Sequence, residues 1–351
     1  MNARQEIRLG TRGSQLALWQ ANAVADRIVR AGGPPCRIVP IKTSGDRLQD
    51  APVAEVGGKQ LFVKEIEEAL LRRDVDLAVH SSKDMPAILP DGLLIAGVLP
   101  REDPLDAVVL PSSRVRLKPD TTSAGAPPAV ASADVVPVFR RTDLTLEDLM
   151  ALLGQHPIFG TGSVRRVAQL RRLIPGARFA NIRGNLDTRL RKLETGGYDA
   201  LVLAAAGLRR LGFASRISLT LPAAACVPAP GQGIVAMETC ADDAEVRRAV
   251  ERISDAAAAA ALNAERALVA TLGGGCQTPI GALASPVDDA QLDLVAAVVS
   301  LDGSRAVRGH ARGPRDQAAA LGARVGAQLL ADGADDILAD ARRAQGQGEE
   351  P

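Results

Sequence analysis

The sequence predicts an α/β protein with two α/β domains followed by a smaller α+β domain. The first observation is length, because 351 residues exceed what a single hydrophobic core usually serves. The second is an alternation of short apolar segments with longer amphipathic segments over residues 6–99 and 157–204, which is typical of a mostly parallel sheet covered by helices. The third is that this alternation stops near residue 255.

The first unit is predicted to contain four strands and two helices. Ser14 is expected to cap a helix that continues to about Arg30, because Gly32 and Gly33 then end the apolar repeat. Trp19 is expected on the core face of this helix. The other predicted elements are the strands Glu6–Thr11, Arg37–Thr43, Val75–His80 and Leu94–Leu99 and the helix Leu61–Arg73.

Residues 112–145 interrupt this rhythm. The stretch is rich in proline and shows no lasting periodicity, which is typical of a surface insertion. The alternation then resumes as a second α/β unit. Its predicted elements are the strands Pro157–Thr161, Arg178–Ile182 and Ala200–Ala204 and the helices Ser163–Ile174 and Asn185–Glu194.

The third unit begins after Asp255 with an Ala-rich helix that leads to three glycines and Cys276. Alternating polarity over Leu292–Ser300 and Ala306–Ala311 predicts antiparallel strands, and a helix is expected from about Arg315. This pattern predicts a small α+β domain.

Composition excludes several classes of function. The formal net charge is +1 and aromatic residues make up 2%, so neither polyanion binding nor base stacking is expected. With three histidines and no CxxC pair, we expect no metal site. The first residues lack an apolar signal segment and no apolar run is long enough to span a membrane, which predicts a cytoplasmic protein.

Three predicted strand ends carry arginine at or near a helix N-terminus. A cation there is destabilising by roughly 0.3–1 kcal/mol, whereas the backbone N–H groups bind anions. One such arginine would be interpreted as a solvated charge, as we interpret Arg171 and Arg172. Three sites at strand ends favour a cleft that binds carboxylate or phosphate. The residues are Arg12 and Ser14; Thr161, Ser163, Arg165 and Arg166; and Arg183 and Arg189.

A second cluster, Ser81 to Asp84, directly follows the predicted strand Val75–His80. Lys83 and Asp84 would therefore lie at the same sheet edge as the arginines. An acid in such a cleft can stabilise a cation, orient an N–H group or transfer a proton. Considered alone, the cluster is better explained as a simple Lys83–Asp84 turn with both groups in water.

The glycine-rich segment before Cys276 is the third candidate. Three consecutive glycines remove steric cover from the thiol and favour a presented nucleophile, although most free cysteines are simply buried. Cys36, Cys226 and Cys240 have no such context and are interpreted as ordinary. The segment PAPGQG at 228–233 is interpreted as a rigid crossing between domains.

Taken together, these segments closely resemble the porphobilinogen deaminase (hydroxymethylbilane synthase) family. The resemblance runs in order across nearly the whole chain, and the ordered set is highly specific. The matching stretches are LGTRGSQLALWQA, TSGD, VGGKQLFVKEIEEALL, DLAVHSSKDMP, REDPLDAVV, GTGSVRR, IRGNLDTRLRKL, AAAGLRRLG, PAPGQG and LGGGCQTPIG.

The resemblance implies two lobes of the type II periplasmic-binding-protein fold and a small C-terminal α+β domain. Domain 1 would comprise 1–101 with a return segment 230–252, domain 2 would comprise 102–229, and domain 3 would comprise 253–351. The family pattern also implies a monomer. Two departures are Gly162, where many members carry serine, and the length of the 112–145 stretch.

The resemblance further implies that four porphobilinogen molecules are joined head to tail with release of ammonia. Asp84 matches the family's catalytic acid, which stabilises the azafulvenium cation. Cys276 matches the attachment point of a covalent dipyrromethane cofactor. The matches also imply cofactor binding by Ser81, Lys83, Thr161, Ser163, Arg165 and Arg166, and substrate binding by Arg12, Ser14, Arg183 and Arg189. Arg210 is a weaker candidate, and Lys59 matches a lysine of the family's mobile loop.

Two other functions fit parts of the pattern. A two-lobed anion-binding protein without catalysis would use the arginines but would not require the Asp84 or Cys276 segments. A nucleic-acid binder is disfavoured by the near-zero net charge and scarce aromatics. We expect porphobilinogen as the small-molecule partner, without nucleic acid, membrane or metal.

Overall fold

The structure is a computed structural model that describes residues 4–47, 63–114, 144–275 and 278–346. Its described part contains two five-stranded sheets and one three-stranded sheet. Cys276, Lys59 and most of the 112–145 stretch lie outside the described residues, as do Leu61 and Phe62 of the second predicted helix.

The first sheet has the strand order β2-β1-β3-β10-β4. Strand β1 pairs in parallel with β2 and β3, whereas β10 lies antiparallel between β3 and β4. Four strands therefore run in one direction and one opposes them. The strands are β1 (Ile7–Arg12), β2 (Cys36–Ile41), β3 (Leu77–Ser81), β4 (Leu93–Val98) and β10 (Val235–Cys240).

The second sheet repeats this order as β7-β6-β8-β5-β9. Its opposing strand is β5, which pairs antiparallel with β8 and β9. In each lobe, the opposing strand belongs to the segment that has just crossed from the other lobe. The strands are β5 (Asp106–Val109), β6 (Ile158–Gly160), β7 (Arg178–Ala180), β8 (Ala200–Ala204) and β9 (Leu219–Leu221).

This repeated topology confirms the predicted class of two type II periplasmic-binding-protein-like lobes. The expectation of a mostly parallel sheet is also confirmed, with one opposing strand per lobe. The helices are α1 (Gln15–Arg30), α2 (Ser44–Arg47), α3 (Lys64–Leu71), α4 (Leu146–Leu153), α5 (Val164–Leu173), α6 (Leu186–Glu194), α7 (Ala205–Arg210), α8 (Ala244–Glu251), α9 (Ala256–Thr271), α10 (Ala318–Ala331) and α11 (Ala334–Gly346). The domain boundaries stay a prediction.

The third sheet is antiparallel, in the order β11 (Ile280–Pro286), β12 (Gln291–Val299) and β13 (Ala306–Pro314). One face packs against α9, α10 and α11 in an aliphatic core. Ala297 and Val299, on the other face, pack against Ala168 of α5 and Val227. The α+β unit therefore rests directly on the second lobe.

The predicted core position of Trp19 is wrong. The indole is 40% exposed, while Ala17, Ala21, Val24 and Ile28 form the buried face of α1. Its ring lies 5.6 Å from the Arg210 guanidinium carbon, across the junction of the two lobes. A cation–π contact with the other lobe explains why a large aromatic side chain stays at the surface.

Three titratable side chains are buried in the first lobe beneath the end of β3. His80 Nε2 lies 3.0 Å from Glu238 Oε2, and Glu67 of α3 lies beside this pair. Burial, reinforced by the negative charge of Glu238, raises the pKa of Glu67 to about 7. The folded state therefore favours the protonated form of Glu67.

We predict that Glu67→Gln stabilises the protein at pH 8 by on the order of 1–3 kcal/mol. Because the folded pKa is raised, the stability associated with protonated Glu67 is present below about pH 4.5 and is lost as pH rises through about 7. Glutamine resembles the protonated acid and removes this loss. Urea unfolding between pH 5 and 8.5 measures it, with the exposed neighbour Glu68→Gln as control. Equal pH slopes for wild type and Glu67→Gln would contradict the assignment.

Candidate active site

The predicted site residues lie where strands of both lobes end. Arg12 is the last residue of β1, and a 3₁₀ turn, Ser82–Asp84, follows β3. In the second lobe, Thr161 follows β6 and Arg183 lies just beyond β7. The strand-end placement predicted for these groups is therefore confirmed.

A cavity lies between the lobes and the third sheet's domain. It contains about 600 Å³ of empty space, part of which is open to solvent. The first lobe contributes Ser82 and Lys83, the second contributes Ser163 and Arg165, and α9 contributes Arg266. Among the described residues that line it, three are cations and none is a carboxylate.

Charges from both lobes converge on this cavity. The pKa of Lys83 is lowered to about 8, mainly by burial; the charges of Arg166 and Arg165 contribute to the shift, while Asp84 and Asp106 oppose it. Lys83 of the first lobe therefore lies within electrostatic reach of two arginines of the second lobe. At neutral pH, Lys83 remains mostly protonated.

Arg189 of α6 lies in the same electrostatic cluster. Burial lowers its pKa, the charges of Arg166 and Arg12 add to the shift, and Asp84 acts against it. Arg189 Nε donates to Gly184 O over 2.8 Å, which orients the side chain across the first turn of its own helix. The structure therefore gathers Arg12, Asp84, Arg166 and Arg189 around one cleft.

Arg165 and Arg166 are buried and share one buried carboxylate, Asp106 of β5. Arg165 Nη1 and Nη2 donate end-on to the two oxygens of Asp106, over 2.7 and 3.1 Å. Arg166 Nε donates to Asp106 Oδ1 over 2.9 Å, and Arg166 Nη1 donates to Val202 O. These contacts hold the pKa of Asp106 well below its usual range, despite its burial.

The end-on geometry leaves one edge of the Arg165 guanidinium for another acceptor. Arg165 Nε is buried and has no hydrogen-bond partner within the part of the chain that the structure describes, and the same is true of Ser82 Oγ. Both residues line the cavity. Two orphaned donors beside the Lys83 ammonium suit a ligand that carries carboxylates.

The predicted hydroxyl groups mainly cap helices. Ser14 Oγ accepts from Ala17 N, Ser163 Oγ accepts from Arg166 N, and the buried Thr161 Oγ1 accepts from Ser163 N. Ser81 Oγ accepts from Gln20 Nε2 over 2.9 Å. The bonds of Ser14, Ser163 and Thr161 use oxygen lone pairs, so these hydroxyl protons can be donated to an anion, whereas the Ser81 hydroxyl also donates to Gln20 Oε1 over 3.3 Å.

The sequence analysis missed Asp106 and Gln232. Asp106 is the first residue of β5, directly before a fully buried apolar run, and a charge at that position was the signal that could have identified it. Gln232, in the return segment, is fully buried, and its Nε2 donates to Asp106 Oδ1 over 2.9 Å. Asp106 binds both arginines directly and Gln232 binds Asp106, but neither residue lines the cavity.

Three further arginines make contacts that the sequence did not reveal. Arg210, the weaker candidate for carboxylate binding, donates from Nη2 to Gly233 O over 2.7 Å and stacks on Trp19. Arg171 and Arg172 are exposed, as expected, but each also binds the third domain. Arg171 donates to Leu301 O, while Arg172 donates to two carbonyls of the same β12–β13 turn. Their partners belong to another domain, which a local pattern does not reveal.

Comparison with known proteins gives a consistent result. A model described as "Porphobilinogen deaminase, dipyromethane cofactor binding domain" matches residues 7–248, and one described as "Porphobilinogen deaminase, C-terminal domain" matches residues 259–331. The porphobilinogen deaminase of Geotalea daltonii is 42% identical over 339 residues, covering 96% of this chain and 95% of the relative. That of Syntrophobacter fumaroxidans is 44% identical over 340 residues, with 96% and 98% covered.

Solved structures with more distant similarity include the BvgS VFT2 domain of Bordetella pertussis, at 16% identity and a TM-score of 0.38. It covers 71% of this chain and 87% of its own. The probable amino-acid ABC transporter extracellular-binding protein ytmK of Bacillus subtilis shows 10% identity and a TM-score of 0.39, with 71% and 90% covered.

We predict that Asp106→Ala lowers the free energy of unfolding by roughly 3–5 kcal/mol, because it leaves two buried guanidinium groups without their shared counter-charge. Urea unfolding at pH 7 measures the change. Asp340→Ala is the matched control, since it removes a carboxylate that also pairs with two arginines but is exposed, and it should change the free energy of unfolding far less. Similar losses in both variants would contradict the role of Asp106.

Proposed function

The chain belongs to the porphobilinogen deaminase family, and on that premise we propose that it is the transferase that joins four porphobilinogen molecules head to tail. Ammonia is released at each addition, and the product is hydroxymethylbilane, a precursor in haem and other tetrapyrrole biosynthesis. One observation of the structure supports this most directly. The catalytic-acid candidate Asp84 and arginines from both lobes lie around one cleft.

The charge of the cleft matches the substrate. Each porphobilinogen carries an acetate and a propionate, so every addition brings two carboxylates into the site. We assign Arg12, Arg183 and Arg189, with Ser14, to the incoming substrate. Lys83 and the open edge of Arg165, with Arg166 behind it, are assigned to the carboxylates of a resident cofactor. The supporting hydroxyls are those of Ser81, Thr161 and Ser163.

We propose that the resident cofactor is dipyrromethane, joined through a thioether to Cys276. When bound, it supplies the pyrrole α-carbon to which the first substrate is added. The residues that flank 276–277 line the cavity, since Gly275 and Thr278 both border it. Thr278 Oγ1 donates to Gly275 O over 2.6 Å and holds these two flanking residues together.

Asp84 is the proposed catalytic residue. It ends the 3₁₀ turn after β3, and the turn is held by Met85 N donating to Ser82 O. Its carboxylate lies within electrostatic reach of Lys83 and Arg189. From there, Asp84 can hold pyrrole N–H groups and stabilise the cation left when ammonia departs. The surrounding cations hold the substrate's own carboxylates and keep them from neutralising that cation.

A two-lobed anion-binding protein without catalysis is the alternative. The lobes and arginines suit it equally well. However, a carboxylate in a cleft that binds anions weakens binding, and Asp84 occupies such a position. In an enzyme that generates a cationic intermediate, the same carboxylate stabilises that intermediate. The position of Asp84 therefore favours the transferase.

The cellular setting remains part of the proposal. No helix in the described ranges is both long and apolar enough to cross a membrane. We propose a cytoplasmic monomer whose partner is porphobilinogen, without nucleic acid, membrane or metal. The described residues contain no group of three or more metal-ligating side chains.

We predict that the purified protein is heavier than its sequence mass by two pyrrole units, and that Cys276→Ser abolishes this excess. The thioether requires the sulfur of Cys276, so serine cannot replace it. Intact-mass spectrometry measures the excess, and Cys36→Ser, another free thiol, should retain it. An active wild-type protein of unmodified mass would overturn the cofactor proposal.

We predict that Asp84→Ala retains the cofactor mass but lowers kcat by roughly 100-fold or more, because the cation loses its stabilising charge. Initial rates of porphobilinogen consumption, together with the intact mass, measure both effects. Asp91→Ala, an exposed acid shortly after the same turn, is the control and should keep normal turnover. Near-normal turnover in Asp84→Ala would remove Asp84 from the catalytic role.

A further inference from the structure

Helix α9 presents one continuous face to the cavity and to the segment that follows Asp84. Ala258, Leu262, Arg266 and Val269 recur at spacings of four, four and three residues, which places them on one side of a helix. Leu262, Arg266 and Val269 line the cavity. Ala258 and Leu262 also pack in a core cluster with Met85, the residue directly after Asp84.

Arg266 makes the second contact with that segment. Its Nη2 donates to Ala87 O over 2.8 Å. Met85 is 5% exposed and held by packing, and Ala87 accepts this hydrogen bond. The backbone that carries Asp84 therefore contacts α9 at Met85 and at Ala87, one and three residues after the acid.

The far end of α9 leads to the cysteine loop. Leu272 is buried, Gly274 N donates to Val269 O, and Gly275 then borders the cavity. Only five residues separate Arg266 from the helix end at Thr271, a rise of about 7.5 Å. One short, regular element thus connects the acid's segment with the segment that carries Cys276.

We propose that Arg266 is a positioning residue for chain elongation, which sets the distance between Asp84 and the cysteine loop through its bond to Ala87. This inference rests on the proposed function. Each addition requires the end of the growing chain to lie at the correct distance from Asp84. A displacement of about 1 Å can lower the rate roughly 100-fold. Without the bond, the segment after Asp84 would lose this hydrogen bond to α9 and keep the packing contacts of Met85, Ala87 and Leu89.

The adjacent Glu265 shows that α9 is anchored independently of Arg266. Glu265 is fully buried and accepts from Arg101 Nη1, from Gly231 N and from Ala284 N. These contacts hold the helix against the crossing segments and β11. Removing the Arg266 guanidinium should therefore release Ala87 while α9 stays in place.

The test compares Arg266→Met, which keeps the aliphatic stem, with Arg266→Lys, which keeps a charged donor. Arg315→Met is the matched control, because Arg315 Nη1 also donates to a backbone carbonyl, that of Asp289, at an exposed site. Four quantities are measured: intact mass, kcat and KM, melting temperature, and hydrogen–deuterium exchange of residues 85–90. Exchange is also measured in each variant combined with Cys276→Ser. Because these double variants are expected to lack the cofactor, their exchange reports on the Arg266–Ala87 hydrogen bond alone.

For Arg266→Met we expect the cofactor mass to be retained, kcat to fall roughly 10- to 100-fold with KM changed less than about twofold, and exchange in 85–90 to rise. Arg266→Lys should recover part of kcat, and Arg315→Met should match wild type. Unchanged exchange in 85–90, or kcat within twofold of wild type, would overturn the proposal. The proposal would also be overturned if kcat fell only in proportion to the fraction of protein that carries the cofactor. A fall in kcat together with a clearly lower melting temperature would overturn it as well. Wild-type turnover and mass, measured in parallel, test the proposed function separately.

Discussion

The buried carboxylate of Asp106 is the interaction on which the site depends. It lies on β5, receives both Arg165 and Arg166 from α5, and accepts from Gln232 of the return segment. Gln232 O in turn accepts from Arg101, whose guanidinium pairs with buried Glu265 of α9. A continuous polar network therefore joins both lobes and the third domain. Each buried charge in it has a partner, and removing one would leave another charge unpaired in a medium of low polarity.

This network also determines which donors of Arg165 are used. Because Asp106 takes Nη1 and Nη2 of the guanidinium, buried Nε is left without a hydrogen-bond partner among the described residues. The same pairing prevents two adjacent buried cations from repelling each other before any ligand enters. Lys83 lies within electrostatic reach of this pair of arginines and of Asp84, and Arg189 lies within reach of Arg166, Asp84 and Arg12.

The fold places these groups together by repeating one topology. In each lobe the opposing central strand comes from the chain that has just crossed over, so the two crossings run side by side between the lobes. Arg210 reaches Gly233 O at one crossing and stacks on Trp19 of the first lobe. The third domain contacts the second lobe through Arg171 and Arg172, and contacts the first lobe through α9. The third domain is thereby attached to both sides of the cleft.

The sequence by itself determined the element order, the strand-end arginines, the turn with Asp84, the cysteine loop and the family. These features depend on local periodicity, caps and short motifs, which neighbouring residues specify. Only the tertiary structure decided that Arg165 and Arg166 share Asp106, that Trp19 stays exposed, and that Arg171 and Arg172 hold another domain. Arg165 and Asp106 are 59 residues apart, and Arg171 and Leu301 are 130 apart. A charged side chain pairs with the groups that the folded chain brings within hydrogen-bond distance. A local sequence pattern does not specify these groups.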